Sequence, residues 1–194
     1  MGRWQAERQG LFADSPGNTV GFFKVLLGSA AFWGIQDPSS GSKSSHTELI
    51  FVDGFTQFGF VAQPAEGNFV TVLSAVVSPT SRGSVNIASV DPFASPLIDP
   101  NFFDTNFDIL AMVQAINDAT SFISAPLWHQ VIKPAPFWDL ATAKTDAAKA
   151  NFARLRSVRH QPSCRNGEGE CKGRRCGREV EERAADLIKS EHRI

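Results

Sequence analysis

Hydrophobic positions along this chain alternate between strand-like and helix-like spacing, and the alternation sets most of the expected elements. Residues 20–33 hold Val20, Phe22, Phe23, Val25, Leu26, Leu27, Phe32 and Trp33, a density that suits either a strand or a buried helix. Thr47 to Val52 reads as a strand that stops at Asp53-Gly54. Val72 to Val77 is a second apolar run. After the cluster Ser78-Pro79-Thr80-Ser81-Arg82-Gly83, a third run alternates, with Val85, Ile87 and Ser89 on one face. Two such runs joined by a Pro/Gly turn predict an antiparallel pair. Asp91-Pro92 and Ser95-Pro96 then force an extended exit, because the residue before a proline is pushed out of the helical region.

Helical spacing takes over at Thr105. Ile109, Met112, Val113, Ile116, Ala119, Phe122 and Ile123 share one face, Thr105 and Asp108 stand at capping positions, and Pro126 ends the run. Thr145 to Ala153 predicts another helix, and Glu179 to Lys189 a third, with Val180, Ala184, Leu187 and Ile188 on one side. Residues 1–14 fit one short helix, and 36–45 a loop. Strands first and helices after predict an α+β fold.

Composition narrows the function classes. At 194 residues the chain is long enough for one domain with its own core, and its formal net charge of −1 supplies no global field for nucleic acid or a membrane surface. No apolar run approaches the roughly 20 residues of a membrane span, and no apolar stretch follows Met1 as a signal peptide requires. There are 16 Phe and no Tyr, so the aromatic mass is built for packing rather than for hydrogen bonding.

The stretch SPTSRGSVNIASVDPFASPLIDPNFF resembles the C-terminal, substrate-binding domain of the glucose–methanol–choline (GMC) oxidoreductases, of the aryl-alcohol oxidase type. Ser81, Arg82, Gly83, Pro92, Pro96, Ile98 and Asn101 carry the match. The resemblance implies an antiparallel β-sheet with helices packed on one face. It implies FAD as the family cofactor, a small aromatic or aliphatic primary alcohol as substrate, and a histidine that takes the hydroxyl proton while hydride passes to the flavin. It also places an aromatic lid loop at Gly54 to Phe60, which makes Phe55, Phe58 and Phe60 the candidate substrate-binding residues; on composition alone the same loop reads as ordinary packing over the core. No G-x-G-x-x-G occurs in these 194 residues, so the FAD-binding domain is expected upstream, and this chain alone is expected to bind no cofactor and to catalyse nothing. Without that domain, Phe22, Phe23, Phe55 and Phe60 are expected to form an open apolar patch.

Beyond Phe152 the character changes. Eight basic residues fall within 154–178, opposed by Glu168 and Glu170, and from Arg159 to Arg178 there is no large apolar residue, which predicts disorder. His160, Cys164, Cys171 and Cys176 lack any tight C-x2-C pair and are not assigned to a metal. Gly167 to Gly173 carries its third glycine one place late for a dinucleotide fingerprint, and the basic run has no aromatic interleaving for nucleic acid. One permitted coding of Arg159 to Glu168, read one base later, translates as V-T-N-H-P-V-G-T-A, and the resembling family carries an N-H-P-V-G-T-A segment with its catalytic histidine at this point. The expectation is therefore a frame break near Ser157, with His160 not the catalytic histidine and no catalytic residue legible. The domains expected are 1–157, a partial GMC-type substrate domain; 158–178, disordered and frame-shifted; and 179–194, a C-terminal helix. The alternative function is a stand-alone module that binds aromatic alcohols or a partner without catalysis.

Overall fold

A computed structural model describes residues 6–7, 17, 19–56, 62–132 and 136–158, and the backbone of 187–192. Four strands form an antiparallel sheet in the order β1 (Thr19–Phe23), β2 (Thr47–Asp53), β3 (Asn68–Val76), β6 (Leu187–His192). A separate two-stranded ribbon joins β4 (Ser84–Asn86) to β5 (Leu97–Asp99). Helices α1 (Asn106–Ile123), α2 (Asp139–Thr142) and α3 (Asp146–Arg156) follow. The fold is α+β, as the order of elements predicts.

Strand alternation decides which face meets the helices. Leu49 and Val72 point to one side of the sheet, where Ile109, Met112, Ile116, Ala119 and Ile123 of α1 close over them. Phe152 and Ala153 of α3 complete this core, and Val72, Ile116 and Ala153 are fully buried. The other face carries Ile50, Val52 and Leu73 as a small separate cluster. On that face β1 places Val20 opposite Ile50 and Phe22 opposite Glu48. Phe22 is 61 % exposed on that face, and Phe23, which alternates to the other face, is 40 % exposed; of the other two residues expected in an open patch, Phe55 is half-buried and Phe60 lies outside the described residues.

Both long helices begin as their sequences require. The Thr105 hydroxyl accepts from the Asp108 N–H, and the Thr145 hydroxyl accepts from the Ala148 N–H. The ambiguous run at 20–33 resolves into β1 and a 3-10 turn at Ala30–Phe32. The connection from β1 to β2 is organised by His46, which is fully buried against the edges of Phe32 and Phe107. Its Nδ1 accepts from the Val25 N–H at 3.0 Å, so the ring proton sits on Nε2 and is donated to Asp37 at 2.8 Å.

The Ser39 side chain, then His46, and then the Ser39 N–H hold the Asp37 carboxyl well below the usual carboxylate range. A depressed folded pKa contributes stability above the unfolded value of about 4 and loses it as pH falls below that value. The stability gap between the wild type and Asp37→Asn should therefore be open at pH 7 and close below about pH 4. Denaturant melts across pH measure it, and a gap that stays constant down to pH 2 would refute the assignment.

Two expectations are corrected. Residues 72–77 and 84–89 do not form a hairpin: β3 pairs with β2 and β6, while β4 pairs with β5. The segment between them does not reverse as a tight turn, because the Thr80 and Ser81 N–H groups are taken by the Asp108 carboxylate. The C-terminal helix is also corrected where it is described. Leu187–His192 is a strand, aligned with β3 from Leu73↔Leu187 to Asn68↔His192. An open strand edge offers a full row of backbone donors and acceptors, and that ladder outweighs local helical spacing. The rest of that expected helix, the expected disorder at 158–178 and most of the expected N-terminal helix lie outside the described residues, although Ala6 and Glu7 are helical. Among the described residues no helix is long and apolar enough to cross a membrane.

Candidate substrate-binding site

Phe55 follows β2 at a sharp turn. Gly54 takes φ +132°, a conformation that favours glycine. Thr71, fully buried in β3, then fastens the segment: its hydroxyl donates to the Gly54 carbonyl at 2.7 Å and accepts from the Thr56 N–H at 3.1 Å. Phe55 is held between these two bonds. Its ring meets Phe69 edge-on, with centroids 5.3 Å apart at 83°.

Phe69 belongs to β3 and by alternation sits on the opposite face from Val70 and Val72. Phe137, from the connection before α2, closes the group at 5.9 Å from Phe69 and 6.4 Å from Phe55. The three rings form a T-shaped cluster at the end of the sheet. This geometry sets positive ring edges against negative ring faces and is worth about 0.5–1.5 kcal/mol per pair beyond the area buried. Phe69 is 8 % exposed, whereas Phe55 and Phe137 are half-buried.

Of the three residues singled out by sequence, the structure places Phe55 in this cluster; Phe58 and Phe60 lie outside the described residues. Sequence reasoning missed Phe69 and Phe137. Phe69 gives no signal beyond being an apolar strand residue. Phe137 follows Pro134-Ala135-Pro136, a segment with no period to read.

Both histidines whose side chains are described are engaged in hydrogen bonds. His46 has both nitrogens engaged, and the His129 Nε2 pairs with the Ser124 carbonyl at 3.2 Å. The two carboxyls with displaced pKa values, Asp37 (lowered) and Asp118 (raised by burial), belong to the β1–β2 connection and to α1. Among the described residues no group of three or more potential ligands could hold a metal; His160, Cys164, Cys171 and Cys176 lie outside them.

The Ser81-Arg82-Gly83 and Asp99-Pro100-Asn101 segments turn out to be two halves of one joint. A Cβ on Gly83 would stand 2.3 Å from the Asp99 carbonyl oxygen, so only glycine permits this backbone approach. Across the same contact the Asn101 side-chain amide donates to the Arg82 carbonyl at 3.1 Å. The joint is then tied to α1 through Asp108. These residues carry architecture, not chemistry.

Comparison with known proteins fits this picture. Residues 79–170 match the family model for the C-terminal domain described as GMC oxidoreductase; the match runs past Ser157 into residues outside the described set. Dehydrogenase eriK of Hericium erinaceus is 36 % identical over 142 residues, covering 70 % of this chain and 22 % of that protein. Oxidoreductase cicC of Emericella nidulans is 30 % identical over 140 residues, covering 69 % and 23 %. Among solved structures, a formate oxidase of Aspergillus oryzae superposes with a TM-score of 0.62 at 26 % identity, covering 77 % of this chain and 28 % of its own. The chain thus spans between a fifth and three-tenths of the length of these relatives. With the matched range embracing the Gly83–Asp99 joint, α1 and α3, and with the same α+β fold in a solved relative, the chain carries the C-terminal domain of the GMC oxidoreductases.

Proposed function

We propose that this domain forms the substrate side of an alcohol-oxidising GMC enzyme of the aryl-alcohol oxidase type, and that the Phe55 loop, with Phe58 and Phe60, holds the ring of an aromatic primary alcohol. The observation that carries the reading is the all-phenylalanine cluster of Phe55, Phe69 and Phe137 at the end of the sheet. Phe rings without hydroxyls offer edges and faces but no hydrogen bonds, which suits a flat apolar ring and not a sugar.

The formate oxidase relative is known with FAD. The described residues here do not fit a dinucleotide. The N-terminus of α1 is already occupied by the Thr105 hydroxyl, with the Asp108 carboxylate beside it, and that of α3 by the Thr145 hydroxyl. Neither follows a glycine-rich turn from a strand, the arrangement that takes a pyrophosphate. No flavin contact is therefore assigned to these residues, and their role is to bind and orient.

Saturation-transfer NMR on the 194-residue chain tests the reading. 4-Methoxybenzyl alcohol should receive saturation at its ring protons, glucose should receive none, and Phe55→Ala should abolish the ring signal. Equal transfer to glucose, or a signal indifferent to Phe55→Ala, would count against an aromatic substrate site. The alternative, a stand-alone binding module, makes the same ring-binding prediction and differs in requiring no flavoprotein partner.

A further inference from the structure

Two large side chains among the described residues, Phe103 and Trp138, have positive φ; Trp138 stands at φ +65° and ψ −144°. A bulky L-residue there is strained, and such strain persists only where surrounding contacts over-determine it. The contacts are visible. Arg156, in the last turn of α3, lays its guanidinium 3.7 Å from the centre of the Trp138 ring. The same guanidinium donates to the Asp139 carboxylate at 2.6 Å. One arginine thus grips two successive residues, by a cation–π contact on the first and a charge-assisted hydrogen bond on the second. The residue immediately before the gripped pair is Phe137, whose ring closes the aromatic cluster.

We propose that Arg156 is a positioning residue for the aromatic site: by clamping Trp138 in its left-handed conformation it sets Phe137 against Phe55 and Phe69, so that the three rings select a flat, uncharged aromatic alcohol over a non-aromatic alcohol of equal size. The inference rests on the reading of this cluster as the ring-binding site. It adds the cause of the site's shape. Backbone direction at residue 138 sets where residue 137 points, and a relaxed, right-handed Trp138 would swing the Phe137 ring off its neighbours. Selectivity for a ring then follows from edge-to-face contacts, which a saturated ring does not make.

The test uses the full 194-residue chain and the ratio of affinities for 4-methoxybenzyl alcohol and cyclohexylmethanol, with thermal melting measured alongside. The wild type should favour the aromatic ligand by about three- to tenfold, the size of one edge-to-face contact. Arg156→Gln should bring the ratio close to one, and Arg156→Lys, which keeps a cation but loses the planar fork, should give an intermediate value. Trp138→Gly provides a readout that simple loss of stability does not move. Glycine adopts the required backbone without strain, so Arg156→Gln should have no further effect on the ratio in that background. If Phe55→Ala weakens binding but Arg156→Gln leaves the ratio unchanged, the clamp is refuted and the site stands. Additive effects of Arg156→Gln and Trp138→Gly also refute the clamp. If the wild type binds neither ligand, or Phe55→Ala changes nothing, the site itself is refuted and the clamp with it.

Discussion

Replacing Asp108 with alanine should destabilise the domain by about 3 kcal/mol, lowering its melting temperature by roughly 6–12 °C. The carboxylate is 2 % exposed and accepts three hydrogen bonds: from the Thr80 N–H at 2.7 Å, the Thr80 hydroxyl at 3.0 Å and the Ser81 N–H at 2.9 Å. Truncation leaves two backbone N–H groups half-buried and unpaired, and each such loss costs about 1–3 kcal/mol. It also removes the acidic residue from the first turn of α1, where negative charge complements the helix dipole. Asp108→Asn should fall between the two. Its amide oxygen can still serve Thr80, but its NH2 faces the Ser81 N–H, donor to donor. Thermal melts of the three proteins decide the matter; an Asp108→Ala protein that melts within about 1 °C of the wild type would show that the cluster contributes little.

Gly83→Ala should detach the β4–β5 ribbon at a local cost of about 3 kcal/mol or more, at or above the upper range for overpacking. The added methyl would meet the Asp99 carbonyl oxygen at 2.3 Å and the Pro100 carbonyl oxygen at 2.7 Å, and both neighbours are backbone. No side chain can rotate away, so the two strands must part. The ribbon has few other anchors: Val85 is 54 % exposed and Ile87 88 %. Hydrogen exchange at Ser84–Asn86 and Leu97–Asp99 should therefore rise sharply in the variant, while amides in β2 and α1 keep their protection. Unchanged exchange in the ribbon would mean that the Gly83 approach is not what holds it.

Much of this fold is written in local sequence. Thr105 and Thr145 stand at helix starts because their hydroxyls satisfy the orphan N–H groups of the first turn, and a cap needs only neighbours to act. The α1 stripe reports its own buried face for the same reason. Pairing partners are a different matter. Nothing in Val72 to Val77 or Ser84 to Ser89 says that these runs join different sheets, because the deciding group, Asp108, lies far along the chain. Leu187–His192 carries helical spacing and becomes a strand because β3 has an edge to fill. The candidate site was legible to the same extent. Phe55 is marked by the Gly54 turn beside it, whereas Phe69 and Phe137 join it only through tertiary packing. Trp138 occupies a backbone conformation where glycine is the expected signal, so its sequence conceals it.

The register that aligns Val72 with Ile188 sets the order of events during synthesis. Among the described elements, β1, β2, β3 and helices α1 to α3 leave the ribosome before β6. At roughly 5–20 residues per second, β3 waits about 5–25 s with one edge unpaired. During that interval the open β3 edge is a template for any extended chain nearby. The hazard of the β3 edge is thus temporal: it is greatest before β6 arrives, and slower translation between α3 and β6 would lengthen it.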